Sequence, residues 1–294
     1  ISKSKKIMVL TGAGISCNAG IPDFRSDNGL YKRKLKESES RVTIKGKEMF
    51  DISVYRSLET IRAFNRFIFE LYTQISQSAP TTTHGFIKKL QDKNKLIKCY
   101  TQNIDGLERE CGLSTEFSCD EWNSTDVIQL HGDLHQLCCN SCKHNYRWDE
   151  IYDEEGRDDD AGIIECPRCT ANYESRVRLG KRSLESSIGI IRPNIVLYGE
   201  EHPYSEKFAR NLNKDLNRRP NMLLIFGTSL KVAGVKNLVK KMSKKIHENE
   251  RGLVVLVNKE PISNSFWRNH IDYQIVSDCD AFCEFVEARL PTVF

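Results

Sequence analysis

Apolar residues fall along this chain in two rhythms. Short, mostly apolar runs occur at 7–10, 96–100, 127–130, 188–191, 195–198, 222–226, 253–257 and 273–276. Runs of this length, closed by glycine or polar residues, predict strands. Between 53 and 76 the rhythm changes: Val54, Leu58, Ile61, Phe64, Phe67, Ile68, Leu71, Tyr72 and Ile75 recur every three or four positions. That spacing predicts an amphipathic helix with an aromatic stripe in the core. Pro80 ends it, and Thr83 is expected to cap a following helix carrying Phe86, Ile87 and Leu90, with His84 structural in its first turn. Strand after strand closes on polar or glycine residues, so the chain reads as α/β, a doubly wound parallel sheet.

The first run leads into LTGAGISCNAGIPDFR, residues 10–25. Gly12 and Gly14 bracket Ala13, so the backbone turns tightly and a helix is expected to start there, its N–H groups aimed at a pyrophosphate. The usual G-x-G-x-x-G fingerprint fails at its third glycine, where Cys17 stands. Gly20, Ile21, Pro22, Asp23, Phe24 and Arg25 follow, an acid, a ring and a guanidinium suited to the far end of a dinucleotide. Residues 26–49 lack a period and read as a flap over that cofactor. Further polar sets close later strands: Gln102, Asn103, Ile104 and Asp105; His131 with Gly132 and Asp133; Gly227, Thr228 and Ser229; Asn258; and Ser277 to Asp280 ahead of a terminal helix. Ligands of open parallel sheets bind beyond such strand ends.

The 294 residues, 39% hydrophobic and 29% charged, describe an ordinary globular chain, and a net charge of +4 does not announce a nucleic-acid binder. Basic runs at 32–36 and 240–245 are local. No run approaches a membrane span and no secretory signal is visible. The start at Ile1 reads as an excised core whose targeting tails are absent. With 11 cysteines and no signal, the spacing points to metal ligation in a reduced compartment. Cys139-x-x-Cys142 and Cys166-x-x-Cys169 supply four thiolates for one tetrahedral zinc with no open position, hence a structural ion. Cys138 is the spare neighbour, and the acidic stretch 149–160 reads as a solvated loop.

In this order, GAGIS from Gly12, GIPDFR from Gly20, TQNID from Thr101, His131-Gly132, the cysteine pairs, the stretch from Pro193 to Glu200, Gly227-Thr228-Ser229 and Asn258 resemble the sirtuin family of NAD-dependent protein-lysine deacylases. The resemblance implies a Rossmann domain of residues 1–25, 81–133 and 190–294. It also implies a smaller domain made of a cofactor loop and helical insertion at 26–80 and a zinc module at 134–189, with the active site in the cleft between them. NAD would be held by Gly12, Ala13, Gly14, Ser16, Gly20, Ile21, Pro22, Asp23, Phe24, Arg25, Gln102, Asn103, Ile104, Asp105, Gly227, Thr228, Ser229, Asn258, Lys259 and Cys279. His131 would be the general base and Asn103 its catalytic companion. Val196, Leu197, Tyr198, Gly199 and Glu200 would bind the substrate, with 196–198 pairing as an added strand.

The implied reaction removes acetyl from lysine of a histone or another protein and releases nicotinamide and O-acetyl-ADP-ribose. ADP-ribosyl transfer and removal of longer acyl groups are the alternatives. Asp133, after His131-Gly132, resembles the fungal nuclear branch that acts on nucleosomal histone. That branch implies chromatin as partner, nuclear localisation, and roles in silencing and genome maintenance, with no membrane and no direct nucleic-acid motif. Asp133 is expected either to raise the pKa of His131 or to point into the zinc module. Leu197 stands where Trp or Phe is frequent.

Overall fold

Six of the apolar runs form one sheet in the computed structural model, which describes residues 1–27, 29–32, 34–36, 43–115, 122–152 and 162–291. In chain order the strands are β1 (Ile7–Thr11), β2 (Lys34–Lys36), β3 (Thr43–Lys45), β4 (Leu96–Thr101), β5 (Val127–Gln129), β6 (Gly132–Cys139), β7 (Asn145–Arg147), β8 (Ile191–Ile195), β9 (Met222–Phe226), β10 (Leu253–Asn258) and β11 (Tyr273–Val276). The α-helices are α1 (Leu58–Ser76), α2 (Thr82–Asp92), α3 (Leu107–Glu110), α4 (Trp148–Ile151), α5 (Pro167–Arg178), α6 (Ser205–Asn217), α7 (Ala233–Ile246), α8 (Asn264–Trp267) and α9 (Cys279–Arg289). Two compact units result, one of Ile1–Asp23, Ser78–Leu130 and His202–Phe294, the other of Phe24–Gln77 and His131–Glu201.

The first unit is the doubly wound sheet, all parallel, in the order β11-β10-β9-β1-β4-β5. Every residue of β1 is buried, and its side chains alternate between two apolar layers. Met8 and Leu10 join Leu212 and Leu216 of α6 and Val239 and Met242 of α7 on one face. Ile7 and Val9 join Phe86, Ile87 and Leu90 of α2 and Cys283 and Val286 of α9 on the other. The chain leaves β1 for β4 and β5 on one side and returns at β9 to build β10 and β11 on the other. The order therefore reverses between β1 and β9, the place where sheets of this kind bind ligands.

Two local expectations change. Thr81, not Thr83, opens α2: Thr81 is extended, and its N–H donates to His84 Nδ1 at 3.1 Å. Thr83 lies inside the helix and gives its N–H and hydroxyl to Asp280 at 2.7 and 2.5 Å. After the glycine turn the chain forms two short 3-10 turns, Ala13–Ile15 and Cys17–Ala19, in place of an α-helix.

In the second unit β7, β6 and β8 make an antiparallel sheet. The runs at 188–191 and 195–198 do not give two strands; one strand, β8, crosses Arg192, Pro193 and Asn194. Proline is tolerated because β8 is an edge strand. Since β8 pairs with β6, residues 190–201 cluster with the zinc module, whereas the sequence reading groups them with the sheet of the first unit. The helix expected from 53 begins at Leu58, because Ser57 is extended and forms a capping box with Thr60. Residues 52–56 are a 3-10 turn. Phe64, Phe67 and Leu71 of α1 are buried, as the stripe requires, and Tyr72 stacks on Trp148 at 4.2 Å. The 26–49 flap contains an antiparallel pair, β2 with β3; positions 28, 33 and 37–42 of it lie outside the described residues. So do 153–161, which hold most of the acidic stretch.

Candidate functional site

At the reversal between β1 and β9 two glycine turns lie backbone to backbone. Gly12 N–H donates to Phe226 O at 3.0 Å and Gly14 N–H to Gly227 O at 2.8 Å. A Cβ on Gly14 would sit 2.7 Å from Gly227 Cα, and one on Gly227 only 2.6 Å from the Ile15 nitrogen. These glycines thus serve the packing of one turn on the other, and the N–H groups of Gly12 and Gly14 are already spent. The helix N-terminus expected to hold a pyrophosphate is absent, replaced by this double turn. Gly14→Ala should cost on the order of 1–3 kcal/mol through backbone overpacking, read as a lower denaturation midpoint with an unchanged m-value.

Gln102 ties the turns to β4: its side-chain amide donates to Thr11 O and to Thr228 Oγ1, each at 3.0 Å. Ser229 follows Thr228, half-buried. Asn258, at the end of β10, donates to Glu260 O at 2.8 Å, and Lys259 pairs with Asp278 at 3.0 Å. Cys279 is buried in the first turn of α9; burial, then the Asp278 and Asp280 carboxylates, push its thiol up to about 12. It is a neutral packing group. Asp23 lies beside Cys17, whose thiol burial and then the Asp23 charge raise. Gly20 needs its positive φ of 85°, and Ile21 is buried.

Below the turns runs a buried polar chain. Asn103 Nδ2 donates to Ser16 Oγ at 3.1 Å, and Ser16 Oγ donates to Asp105 Oδ2 at 2.7 Å. Asp105 Oδ1 accepts the Leu107 N–H at 3.1 Å. Asn103 Oδ1 is buried with no partner. An orphaned acceptor at a strand end is costly unless something supplies a donor, which is what a bound hydroxyl or amide does. The residues here therefore fit a polar cofactor such as NAD. Ile104 packs beside them, buried.

In the second unit, His131 lies in the turn just before β6. Its carbonyl accepts the Val196 N–H at 2.9 Å, and Gly132, at φ 86°, turns where a Cβ would meet Asn194 O at 2.2 Å. Asp133 is buried and one of its oxygens accepts the His135 N–H at 2.9 Å, a local turn within its own strand. Tyr198 N–H donates to Phe50 O at 2.7 Å, and Leu197 N–H to Glu200 Oε2 at 2.8 Å. The donors at Val196, Leu197 and Tyr198 are thus taken within the chain. The Leu197 and Tyr198 carbonyls also accept within the chain, from the Glu200 N–H at 3.1 Å and the Ile52 N–H at 2.9 Å. Leu197 is buried. Phe24 packs edge-on against Phe50 at 5.3 Å, and the Arg25 guanidinium lies 5.3 Å over the Tyr31 ring.

Arg192 was not legible as a site residue. It grips Glu200 through both guanidinium nitrogens, Nη2 to Oε2 at 3.0 Å, and lies 5.0 Å over the Tyr55 ring. Glu200 thus braces its own loop. No periodicity marks such a pair; only the fold brings a strand residue to a turn residue eight positions on.

The four expected cysteines converge, their sulfurs all within 4.8 Å of one another. Cys139 to Cys169 and Cys142 to Cys166 are each 3.7 Å. A tetrahedron with Zn–S bonds of about 2.3 Å has edges of about 3.8 Å, so the set fits zinc. Ser141 and Cys142 N–H groups donate to Cys139 Sγ at 3.3 Å each. Although burial opposes ionisation, the Tyr146 hydroxyl at 3.1 Å, the Cys169 N–H and the neighbouring thiols bring Cys166 down to about 7. Cys138 stays outside, since adjacent residues of β6 face opposite ways.

A Sir2 family model matches residues 12–234. The NAD-dependent histone deacetylase HST3 of Saccharomyces cerevisiae is 49% identical, covering 100% of this chain and 67% of that protein. HST3 of Candida albicans is 47% identical, covering 100% of this chain and 61% of its own length. The NAD-dependent protein deacetylase hst4 of Schizosaccharomyces pombe is 40% identical, covering 89% and 61%. The chain thus spans about two thirds of these relatives or less. Among solved structures, one of Sir2 with a deacetylated p53 peptide and 3'-O-acetyl ADP ribose superposes with a TM-score of 0.70 at 26% identity, covering 98% and 94%. With its parallel sheet, four-cysteine cluster and ordered strand-end residues, this chain belongs to the Sir2 family.

Proposed function

We propose that the chain is an NAD-dependent protein-lysine deacetylase acting on acetylated histone in chromatin, and therefore nuclear. The observation that carries this reading is the likeness to two HST3 histone deacetylases along its whole length. The orphaned Asn103 Oδ1 and the Ser16 to Asp105 chain behind it support it. Among the described residues no helix is long and apolar enough to cross a membrane.

NAD, when bound, supplies a glycosidic bond whose cleavage frees nicotinamide and opens the ribose carbon to the acetyl oxygen of lysine. Asn103 would offer its Oδ1 as acceptor and, with Ser16, Asp105 and Ile104, would hold the nicotinamide end. Gly12, Ala13, Gly14, Thr228 and Ser229 would lie along the phosphates, and Asn258, Lys259 and Cys279 along the adenosine. Phe24 would help exclude water, without which hydrolysis would compete. His131 would accept a proton from a ribose hydroxyl, work suited to imidazole near neutral pH. Val196 to Glu200 would present the acetyl-lysine segment. Cys139, Cys142, Cys166 and Cys169 hold one structural zinc, which offers no open position for chemistry.

Mass spectrometry of acetylated histone peptides incubated with the protein, with and without NAD, tests this. The expected result is deacetylated peptide, nicotinamide and O-acetyl-ADP-ribose in equal amounts, only with NAD. Nicotinamide release with no deacetylation would replace the reading by NAD hydrolysis or ADP-ribosyl transfer.

A further inference from the structure

Helix α7 carries a charge pattern that neither the fold nor the proposed reaction uses. Five of its 14 residues are lysines, Lys236, Lys240, Lys241, Lys244 and Lys245, and none is acidic, although the whole chain nearly balances 44 basic against 40 acidic residues. Its apolar side, Leu238, Val239, Met242 and Ile246, is buried on the large sheet. The lysines take the other side: Lys241 and Lys244 are exposed, the remaining three half-buried. Lys236 with Lys240, Lys240 with Lys244, and Lys241 with Lys245 are like-charge pairs one turn apart, an arrangement that destabilises a helix. A solvated helix face usually alternates sign. The helix dipole favours Lys244 and Lys245 in the last turn, but not Lys236 and Lys240 before it.

The surroundings leave this charge standing. Among the described residues, Lys245 alone of the five meets a carboxylate at ion-pair distance, Glu248 at 2.5 Å. Asp272, just ahead of β11, is taken by His247 at 3.0 Å and by the Val254 N–H at 2.7 Å. Lys236 and Lys240 lie 5.4 and 4.4 Å from the centre of one ring, Phe266 of α8, which gathers two like charges where repulsion would part them. Lys240, Lys241 and Lys244 form one wall of an open groove of about 660 Å³, with Asn269 and His270 also lining it. Among the described residues its one acid is Glu248, already spent on Lys245, and no apolar side chain lines it. His270 feels the resulting field: burial, then the charges of Lys240 and His247, hold its pKa below the usual value.

We propose that this face of α7 binds the sugar-phosphate backbone of double-stranded DNA without regard to sequence. Lys236, Lys240 and Lys244 stand in one row, about 6 Å apart and about 12 Å in all. A DNA strand advances about 3.4 Å of axis per phosphate, so the row meets three or four phosphates of one strand, with Lys241 beside it. A groove of ammonium and amide groups suits phosphates better than an acidic protein segment, whose docking calls for a desolvated apolar or aromatic centre. Since no base edge is read, the face needs no motif, and a small net charge does not reveal it.

β9 and β10 are parallel, so α7 between them runs back from the edge of Thr228 and Asn258 to the opposite edge. Its lysine-rich half therefore lies away from the cofactor residues, and DNA held there leaves that edge open. On a histone substrate, a step that rests on the functional reading above, the face tethers the enzyme to the DNA wrapped on that histone.

Fluorescence anisotropy with labelled duplexes of about 20 base pairs and two unrelated sequences, over a series of salt concentrations, tests the proposal. The wild type should bind both alike, its affinity falling about 40- to 150-fold between about 50 and 200 mM salt, as three or four neutralised phosphates require. The triple variant Lys240→Gln, Lys241→Gln, Lys244→Gln keeps helix propensity and should lose at least about tenfold in affinity at low salt, with a log–log slope flatter by roughly 2 to 3. Its rate on an acetylated histone peptide should not change, while kcat/KM on acetylated nucleosomes should fall about tenfold. Equal affinity and slope in the wild type and the folded variant overturn the proposal. So does equal competition by polyglutamate, which would assign the face to acidic protein, or by inorganic pyrophosphate, which would reduce it to a small-anion site. Lost DNA binding with an undiminished nucleosomal rate overturns the tether. If the triple variant does not fold, Lys241→Gln and Lys244→Gln decide singly: each should flatten the slope by about 0.9, and no change in either overturns the proposal. A protein that binds DNA through these lysines but deacetylates nothing overturns the functional reading and leaves this face standing.

Discussion

If His131 is the general base proposed above, His131→Ala is expected to lower the rate of lysine deacetylation by about 10²- to 10⁴-fold while NAD still binds. The local backbone explains why the two effects separate. The His131 carbonyl accepts the Val196 N–H at 2.9 Å, and alanine keeps that carbonyl. Gly132 makes the turn whatever side chain precedes it. The double glycine turn and the Ser16–Asn103–Asp105 chain belong to the other unit. Single-turnover kinetics with acetylated peptide, beside calorimetry with NAD, measure the two quantities on one preparation. An equal loss of both would remove His131 from the role of base.

The turn that carries His131 was readable because it follows a strand run and contains a glycine. The six strands of the large sheet were readable because each is a short, mostly apolar run with a polar stop, and the zinc set because C-x-x-C spacing has few other uses. Long-range pairings were not. Nothing local says that β8 pairs with β6 and not with the large sheet, or that Pro193 sits on an edge. The apolar pattern of 53–57 continues that of the helix, and only the extended Ser57 breaks it. The glycines at 12 and 14 were legible as a tight turn, but their packing partner, Gly227, lies far along the chain. His84 looked like a satisfied core histidine, and half of it is: Nδ1 is bonded, Nε2 is not.

Removing zinc should unfold the second unit. Binding of a structural Cys₄ zinc is worth roughly 10–16 kcal/mol at neutral pH, comparable to or larger than the whole stability of an ordinary domain. Cys139 ends β6 and Cys166 precedes Pro167 at the start of α5, so the ion joins the sheet to a helix that offers it a single buried apolar side, Cys169. Cys166→Ser, or a strong chelator, is expected to abolish zinc in native mass spectrometry and expose 131–201 to limited proteolysis. Without the metal, four thiols crowded within 4.8 Å have nothing to share. A Cys166→Ser protein that lost zinc yet kept its melting temperature and full activity would show the metal to be dispensable.

The two units differ in when they become complete during synthesis. All of the second is contained in Phe24–Gln77 and His131–Glu201, so its last residue leaves the ribosome before β9 does. β1, a central strand of the large sheet, has β4 on one side from early on but must wait for β9 on the other. The zinc-bearing unit can thus mature as a guest inside an unfinished host, and chain order lets it acquire its metal while one flank of β1 is still open. A nascent chain starved of zinc would expose two hydrophobic surfaces at once, the unformed guest and that open flank, at the stage when chaperones meet it.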